Sequence, residues 1–372
     1  MNFFTSIREK LQESRAFVAK NQRFIPVIAF FAGFTWDNIT ITRIDTITDN
    51  LIIGLYLAIL GFLIILLQKK EYNRLRSPLL LKYSSWFPSA IQFFLGGLFS
   101  VYVVFYFKSA SFTKSAIFLF ILIIVFVANE FLAKRLTNSY LLFCLYFLAA
   151  FSYFIFFIPV ATGIMNVWTF LLGSICGLML PIAILYLLKK QAMFSPVHVF
   201  RNHAILVGSL FLLLNLFYWL NLIPPVPLAM KFTGIYHHAA KKGVENSYVL
   251  RHEKPAWFQL FKQSDSKFHY SDDDTVFCFA SIFAPTKLTK QIAHRWQYFE
   301  PAKDNWITTD RIVYRLTGGR DGGYRGYTFK TNIRNGFWRV DIVTEEDLIL
   351  GRIKFQIVSF SGTNLEFEEI IK

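Results

Sequence analysis

A bundle of transmembrane helices followed by an all-β domain of immunoglobulin-like sandwich type is the fold class this sequence predicts. Three observations carry it. Of 372 residues, 54% are hydrophobic and only 17% charged, whereas soluble proteins carry about 25% charged residues. Nearly all of the apolar surplus lies before residue 230, in runs long enough to cross a bilayer. From Thr275 onward, apolar residues instead recur at every second position between turn residues, the period of half-buried strands.

Seven candidate spans follow in order. The first, residues 24–41, is interrupted by Asp37 and Asn38 after Trp36, and is the one open to a short, tilted or partly re-entrant course. The next five cover residues 50–68, 88–107, 115–133, 139–160 and 167–188, and the seventh covers 203–223. At about 1.5 Å per residue, roughly 20 residues cross a hydrocarbon core of about 30 Å, so each of these six suffices alone. The expected organisation is a cytoplasmic segment 1–23, a multi-span domain 24–223, a linker and juxtamembrane segment 224–270, an extracytoplasmic β-sandwich 271–360 and a tail 361–372.

The formal net charge of +15 invites a nucleic-acid reading, which its distribution argues against. Residues 1–228 hold 18 Lys and Arg against 7 Asp and Glu, and residues 229–372 hold 21 against 17. The excess therefore sits beside hydrophobic spans, where basic residues set orientation. With the N-terminus inside, the inner segments hold 15 basic residues, and the outer loops hold only Arg43, Lys108 and Lys114. Seven spans then place the C-terminal domain outside the cytoplasm, which in a bacterial cell means the periplasmic face of the inner membrane. A stretch of 23 residues, most of them polar or charged, precedes the first span with no small-residue cleavage site after it, so that span reads as an uncleaved anchor.

Past the spans, Pro224, Pro225 and Pro227 make a stiff exit. Lys231 to Tyr270 has weak periodicity, and its cluster Trp257, Phe258, Leu260 and Phe261 reads as cover for an edge of the domain core, with the headgroup layer as the alternative. Six strands follow, marked by Phe277, Phe279 and Phe283; by Ile292, His294, Trp296 and Tyr298; by Ile312, Tyr314 and Leu316; by Tyr327 and Phe329; by Trp338, Val340 and Ile342; and by Ile353, Phe355 and Ile357. Arg339 and Asp341 fall out of phase with the fifth set, and Arg352, Lys354 and Gln356 alternate with the last. Six or seven short alternating strands in about 100 residues suggest an antiparallel sandwich with one buried face per sheet.

The candidate binding residues lie on this domain. The loop from Gly318 to Gly326 lacks the Lys-Ser/Thr pair of a phosphate-binding P-loop and opens a strand, where a dinucleotide site needs a helix. A tight hairpin is one reading; the sharper one has Arg320 and Arg325, with Asp321 and Tyr324 beside them, gripping a carboxylate or phosphate of an envelope polymer. His294 and Trp296 are further candidates, although sharing a face with Ile292 marks His294 as a core histidine. In the membrane part the polar candidates are Asp37, Arg43 and Asp45 at the outer end of the first span, and Glu130, four positions before Lys134. Asp272, Asp273 and Asp274 lack the spacing of a calcium loop, and Cys144, Cys176 and Cys278 make no disulfide framework and no zinc spacing. Neither metal nor cofactor is expected.

Four motifs resemble a known family. They are His294-Arg295-Trp296, the run Gly318 to Tyr327, Gly336-Phe337-Trp338-Arg339-Val340, and Leu350-Gly351-Arg352-Ile353-Lys354-Phe355. In order and spacing they are similar to domain of unknown function 2914, over roughly residues 270 to 360. Gly33-Phe34-Thr35-Trp36-Asp37, and Arg43-Ile44-Asp45 before Asp49-Asn50, resemble the multi-span region joined to that domain in bacterial proteins. The resemblance implies an envelope membrane protein and supplies no catalytic residues.

Two function classes follow. A membrane-anchored module that binds or scaffolds an envelope protein or glycan is favoured, because the polar residues concentrate in the C-terminal part. The alternative is a membrane-embedded enzyme or transporter acting on a lipid or envelope intermediate, with the sandwich as accessory. The bilayer is the expected partner in both, and nucleic acid in neither.

Overall fold

The computed structural model describes residues 47–109, 116–131, 138–191, 193, 197–224, 226–243, 247–255, 259, 262–271, 274–319, 323–360, 362 and 365–372. Seven α-helices precede eleven strands among them. The helices are α1 (Ile47–Glu71), α2 (Pro78–Lys82), α3 (Phe87–Ser109), α4 (Ala116–Phe131), α5 (Ser139–Thr162), α6 (Val167–Lys190) and α7 (Val197–Trp219).

Five of these, α1, α3, α5, α6 and α7, are long and apolar enough to cross a membrane. The 16 described residues of α4 rise about 24 Å, and the ends of the fourth expected span, Ser115 and residues 132–133, lie outside the described residues. The last expected span begins earlier, at Val197, and closes at Trp219 with Asn221 in the left-handed region (φ 57°). Residues 24–41 lie outside the described part. Exposed apolar side chains such as Leu51, Phe93, Trp168 and Leu212 stand on the outer faces of the helices, where a soluble bundle carries charge.

Capping explains the α5–α6 turn. Asn138 Oδ1 accepts from the amides of Tyr140 and Leu141 at the start of α5, and Gly163, at φ 70°, ends that helix. Asn166 and Thr169 then exchange hydrogen bonds in a capping box that starts α6. Small residues set the helix spacing. A Cβ on Gly177 would lie 2.8 Å from the Phe151 Cα, and one on Gly173 2.8 Å from the Phe154 carbonyl oxygen, so α5 and α6 touch backbone to backbone. On α1, Gly54 and Gly61 make room for the hydroxyls of Tyr153 and Tyr146.

The strands are β1 (Ala229–Tyr236), β2 (His238–Lys242), β3 (Ser247–Glu253), β4 (Lys267–Tyr270), β5 (Val276–Phe283), β6 (Thr289–Glu300), β7 (Asn305–Thr317), β8 (Tyr324–Lys330), β9 (Gly336–Thr344), β10 (Ile349–Ser359) and β11 (Phe367–Ile371). They form three sheets in the orders β1-β5-β8, β4-β10-β9-β6-β7 and β11-β3-β2. The middle layer is β1-β5-β8. One face of β5 offers Val276 and Cys278 to Trp296, Trp338 and Phe355 of the five-stranded sheet; the other offers Phe279 to Ala239 and Leu250 of the third sheet.

The two-layer immunoglobulin-like arrangement is thereby replaced by three layers, and β4 pairs with β10 in parallel in an otherwise antiparallel sheet. The β region also starts within the segment read as linker, since β1 to β4 occupy it, and it extends into the tail through β11. Strands covered on both faces lose the period-two signal, and in β1 Ile235 and Tyr236 are consecutive and both fully buried. β11 is hidden for the opposite reason: it is an exposed edge strand whose Glu369 pairs with Arg251.

Helices and sheets are in direct contact. Phe283, Val226 and Ile223 join the core of the helical part, and Tyr218 of α7 packs against the cluster of Leu288, Ile292 and Leu348. A Cβ on Gly163 would sit 2.7 Å from the Lys287 carbonyl oxygen. Lys290 Nζ donates to the Met165 carbonyl at 2.7 Å.

Candidate functional site

The glycine-rich segment is an arch that leaves β7 in the five-stranded sheet and enters β8 in the middle sheet, so it is not the hairpin expected. Gly318 N donates to the Leu288 carbonyl at 2.9 Å, and Gly319 N to that of Ala284 at 3.2 Å. A Cβ on Gly318 would fall 1.8 Å from the Pro285 carbonyl oxygen, which no side chain tolerates. Arg320 and Asp321 lie outside the described residues. Tyr324 stacks on Tyr314 with centroids 6.2 Å apart, and the Arg325 carbonyl accepts from the Tyr248 hydroxyl.

His294 is a core residue, fully buried and saturated. Its Nδ1 lies 2.8 Å from Thr328 Oγ1 and its Nε2 3.0 Å from the Tyr314 hydroxyl. Trp296 Nε1 donates to the same Thr328 hydroxyl at 3.1 Å. Burial lowers the His294 imidazole to about 3, so it stays neutral and has no free nitrogen for a ligand. These residues stitch the five-stranded sheet to β8.

Asp37, Arg43 and Asp45 lie outside the described residues; Glu130 falls near the end of α4, its side chain likewise outside them. No group of three or more His, Cys, Asp or Glu is placed to hold a metal ion among the described residues.

The polar groups that do converge stand on the outward face of the five-stranded sheet, built by the residues that alternate with its buried ones. Register sets them in rows across β10, β9, β6 and β7: Arg352, Asp341, Arg295 and Arg311 in one, and Lys354, Arg339, Gln297 and Thr308 in the next; beyond these, Gln356 pairs with Phe337 and Phe299 with Trp306. Asp341 is fully buried and accepts from Arg352 Nη2 at 2.7 Å and Arg295 Nη2 at 3.1 Å. Burial pushes its carboxyl up, but hydrogen bonds from Arg352 and Arg295 and the charges of Arg352 and Arg339 outweigh this and hold it below the usual range. One anion thus fixes two cations.

Arg339 donates through Nε to Gln297 Oε1 at 2.7 Å and lies over the Trp306 ring, 4.4 Å from its centroid. Burial, then the neighbouring Arg352, lower its guanidinium from the ordinary value, so an arriving anion would relieve repulsion. Beside it a shallow depression of about 460 Å³ is lined by Phe299, Trp306, Phe337, Lys354 and Gln356. Flat aromatic faces with guanidinium and amide groups at their edge suit a ligand that is part apolar and part anionic or hydroxylated. In the sequence, Arg339 and Asp341 stand out of phase with the buried residues of their strand, and Arg352, Lys354 and Gln356 alternate with theirs. Arg295, Phe337, Arg339, Arg352 and Lys354 fall in the motifs of the resemblance, with no sign that they meet. The signal available was that Arg295, Arg339 and Arg352 all share the phase opposite the buried residues with a single Asp341.

Residues 289–357 match the model of a family described as Protein of unknown function (DUF2914). All of the converging groups lie within that stretch. No curated protein matches the chain. Among solved structures, the alkylpurine DNA glycosylase AlkC of Pseudomonas fluorescens, bound to DNA containing an abasic site analog, aligns at 10% identity over 76% of this chain and 82% of that one, with a TM-score of 0.19. A TM-score that low carries no argument about fold or activity.

Proposed function

We propose that the chain whose C-terminal region carries this domain is a multi-pass bacterial inner-membrane protein that binds or scaffolds an envelope protein or glycan. Its contact surface is the outward face of the five-stranded sheet, presented on the periplasmic side. The observation that carries the reading is the line along β9 in which Arg339, stacked on Trp306, stands between Asp341, with its two arginines, and exposed Phe337.

Two further observations support the placement. Basic residues in short loops favour an inner N-terminus by 15 to 3. That orientation puts the α5–α6 turn on the outer side, and this turn is a segment that touches the β region. An outer C-terminal region requires an odd number of crossings. Seven are reached if residues 24–41 and α4 both cross, α4 by thinning the bilayer or by flanking residues that complete it.

Photocrosslinking in living cells tests the reading, with a probe at Phe337 and control probes at Tyr324 and Lys303. A discrete glycan or protein adduct at Phe337, lost on Arg339→Ala or Trp306→Ala, is expected. Equal labelling at all three positions, or none, would overturn the face as a binding surface and return attention to a membrane enzyme or transporter.

A further inference from the structure

We infer that the cleft between the α5–α6 turn and the β region binds the headgroup of a membrane lipid of the phosphoethanolamine class. The inference rests on reading α5 and α6 as membrane spans. The cleft encloses about 630 Å³ and is lined by Trp168, Lys290, Gln291, Arg315, Glu345 and Glu346, together with the turn itself. A volume of this order accommodates a small polar ligand.

Its position selects a lipid. Thr162 ends one apolar 24-residue helix and Val167 starts the next, so the intervening turn lies where spans emerge from the hydrocarbon. Trp168 is 76% exposed and Ile164 53% exposed, an amphipathic ring and an aliphatic side chain at headgroup level. The cleft therefore opens onto the zone that phosphate and amine groups occupy.

Its charges select the headgroup. Lys290 is consumed by the Met165 carbonyl and by its ion pair with Glu346. Arg315, exposed on β7 opposite Gln291, offers a planar fork for a phosphate. The first turn of α6 also lines the cleft, and its partial positive charge favours the same anion. On the opposite side, Glu346 Oε2 is buried with no hydrogen-bond partner among the described residues, and exposed Glu345 stands next to it.

A primary ammonium satisfies that orphaned oxygen. A choline headgroup carries no N–H to donate, and a glycerol headgroup brings no positive charge to the two glutamates. The four charged side chains balance, as a zwitterion requires.

Native mass spectrometry of the full-length protein in mild detergent tests this with added phosphatidylethanolamine, phosphatidylcholine or phosphatidylglycerol. Phosphatidylethanolamine is expected to be retained about tenfold more than the other two, and Arg315→Ala and Glu345→Gln should each erase that preference. Free phosphoethanolamine at millimolar concentration should compete, which separates headgroup recognition from adhesion of acyl chains. Equal retention of the three lipids, or a preference untouched by both substitutions, would overturn the inference. Membrane insertion is read separately, from labelling of Ile164→Cys in intact cells; its failure would sink the span assignment while leaving the headgroup measurement interpretable. Arg315 lies at the opposite end of β7 from Trp306, with Gln291 and not Phe299 as its neighbour, so crosslinking at Phe337 should be unchanged.

Discussion

Glu253, the last residue of β3, reaches His269 on β4, with Oε2 2.8 Å from Nδ1. Its other oxygen lies 3.2 Å from His237 Nε2 and accepts the His269 amide at 2.8 Å. One carboxylate thus ties the third sheet to the edge of the five-stranded one. Asp265 completes the cluster: its Oδ1 accepts from the Glu253 amide, and its Oδ2 is buried without a hydrogen-bond partner among the described residues.

The two carboxyls titrate in opposite directions. Burial raises Glu253, but hydrogen bonds from His237 and His269 outweigh it and hold the group at about 2. Its contribution is full above the unfolded value of 4.5 and is lost as pH falls from there toward about 2. Burial, then the Glu253 charge, push Asp265 from 3.8 to about 8, so its protonated form favours folding at low pH and stability falls as pH rises across that window. Asp265→Asn should therefore raise the melting temperature of the detergent-solubilised protein by about 3 °C at pH 8 and leave it unchanged near pH 4. A gain of equal size at both pH values would refute the buried proton.

Asp341→Ala leaves Arg295 and Arg352 facing each other across a site from which water is largely excluded. Breaking one side of a buried ion pair costs about 3 kcal/mol or more, and chemical denaturation of the full-length protein should show a loss of that order. Arg311→Ala removes an exposed guanidinium 3.6 Å from exposed Asp347 and should cost less than about 1 kcal/mol.

Thr328→Val keeps the shape and removes the oxygen shared by His294 Nδ1 and Trp296 Nε1. Two buried groups lose their partner, at about 1 to 3 kcal/mol each. Tryptophan fluorescence should follow the earlier unfolding, while crosslinking at Phe337 persists at temperatures where the protein is folded. A variant as stable as the parent would sink the idea that this network holds β8 in place.

Gly177→Leu forces side-chain atoms into the Phe151 backbone of α5. Reduced yield and loss of the folded species in detergent are expected, whereas Gly208→Ala, with nothing within 4 Å of the new Cβ, should behave like the parent. Similar behaviour of the two would contradict the tight α5–α6 seam.

How far the sequence disclosed this arrangement depends on which faces are wet. All six strands expected from Phe277 to Ile357 are present; β6 to β10 each keep an exposed or polar residue in one phase, and β5, covered on both faces, is marked by the spacing of Phe277, Phe279 and Phe283. β1 and β11 were hidden, one by burial on both sides and the other by exposure. The alternation at Trp338, Val340 and Ile342 located the core but was silent on where Arg339 and Asp341 would meet Arg295, since those partners come from strands more than 40 residues apart. His294 could be read correctly from its apolar neighbours, whereas its anchor Thr328 gave no signal. Hydropathy located the long apolar helices, but only the positions of Phe151 and Phe154 show why Gly177 and Gly173 cannot be larger.

The seating of Gly163 against the Lys287 backbone has a mechanical corollary. With the Lys290 ammonium latched onto the same turn, the sheets are bolted to the α5–α6 pair at a second point besides the chain crossover at Val226. Two fastenings remove the freedom to swivel, so the arginine-lined face keeps a set height and bearing relative to the helices. A pull on that face would be delivered as torque to α5 and α6, not taken up as slack in a tether.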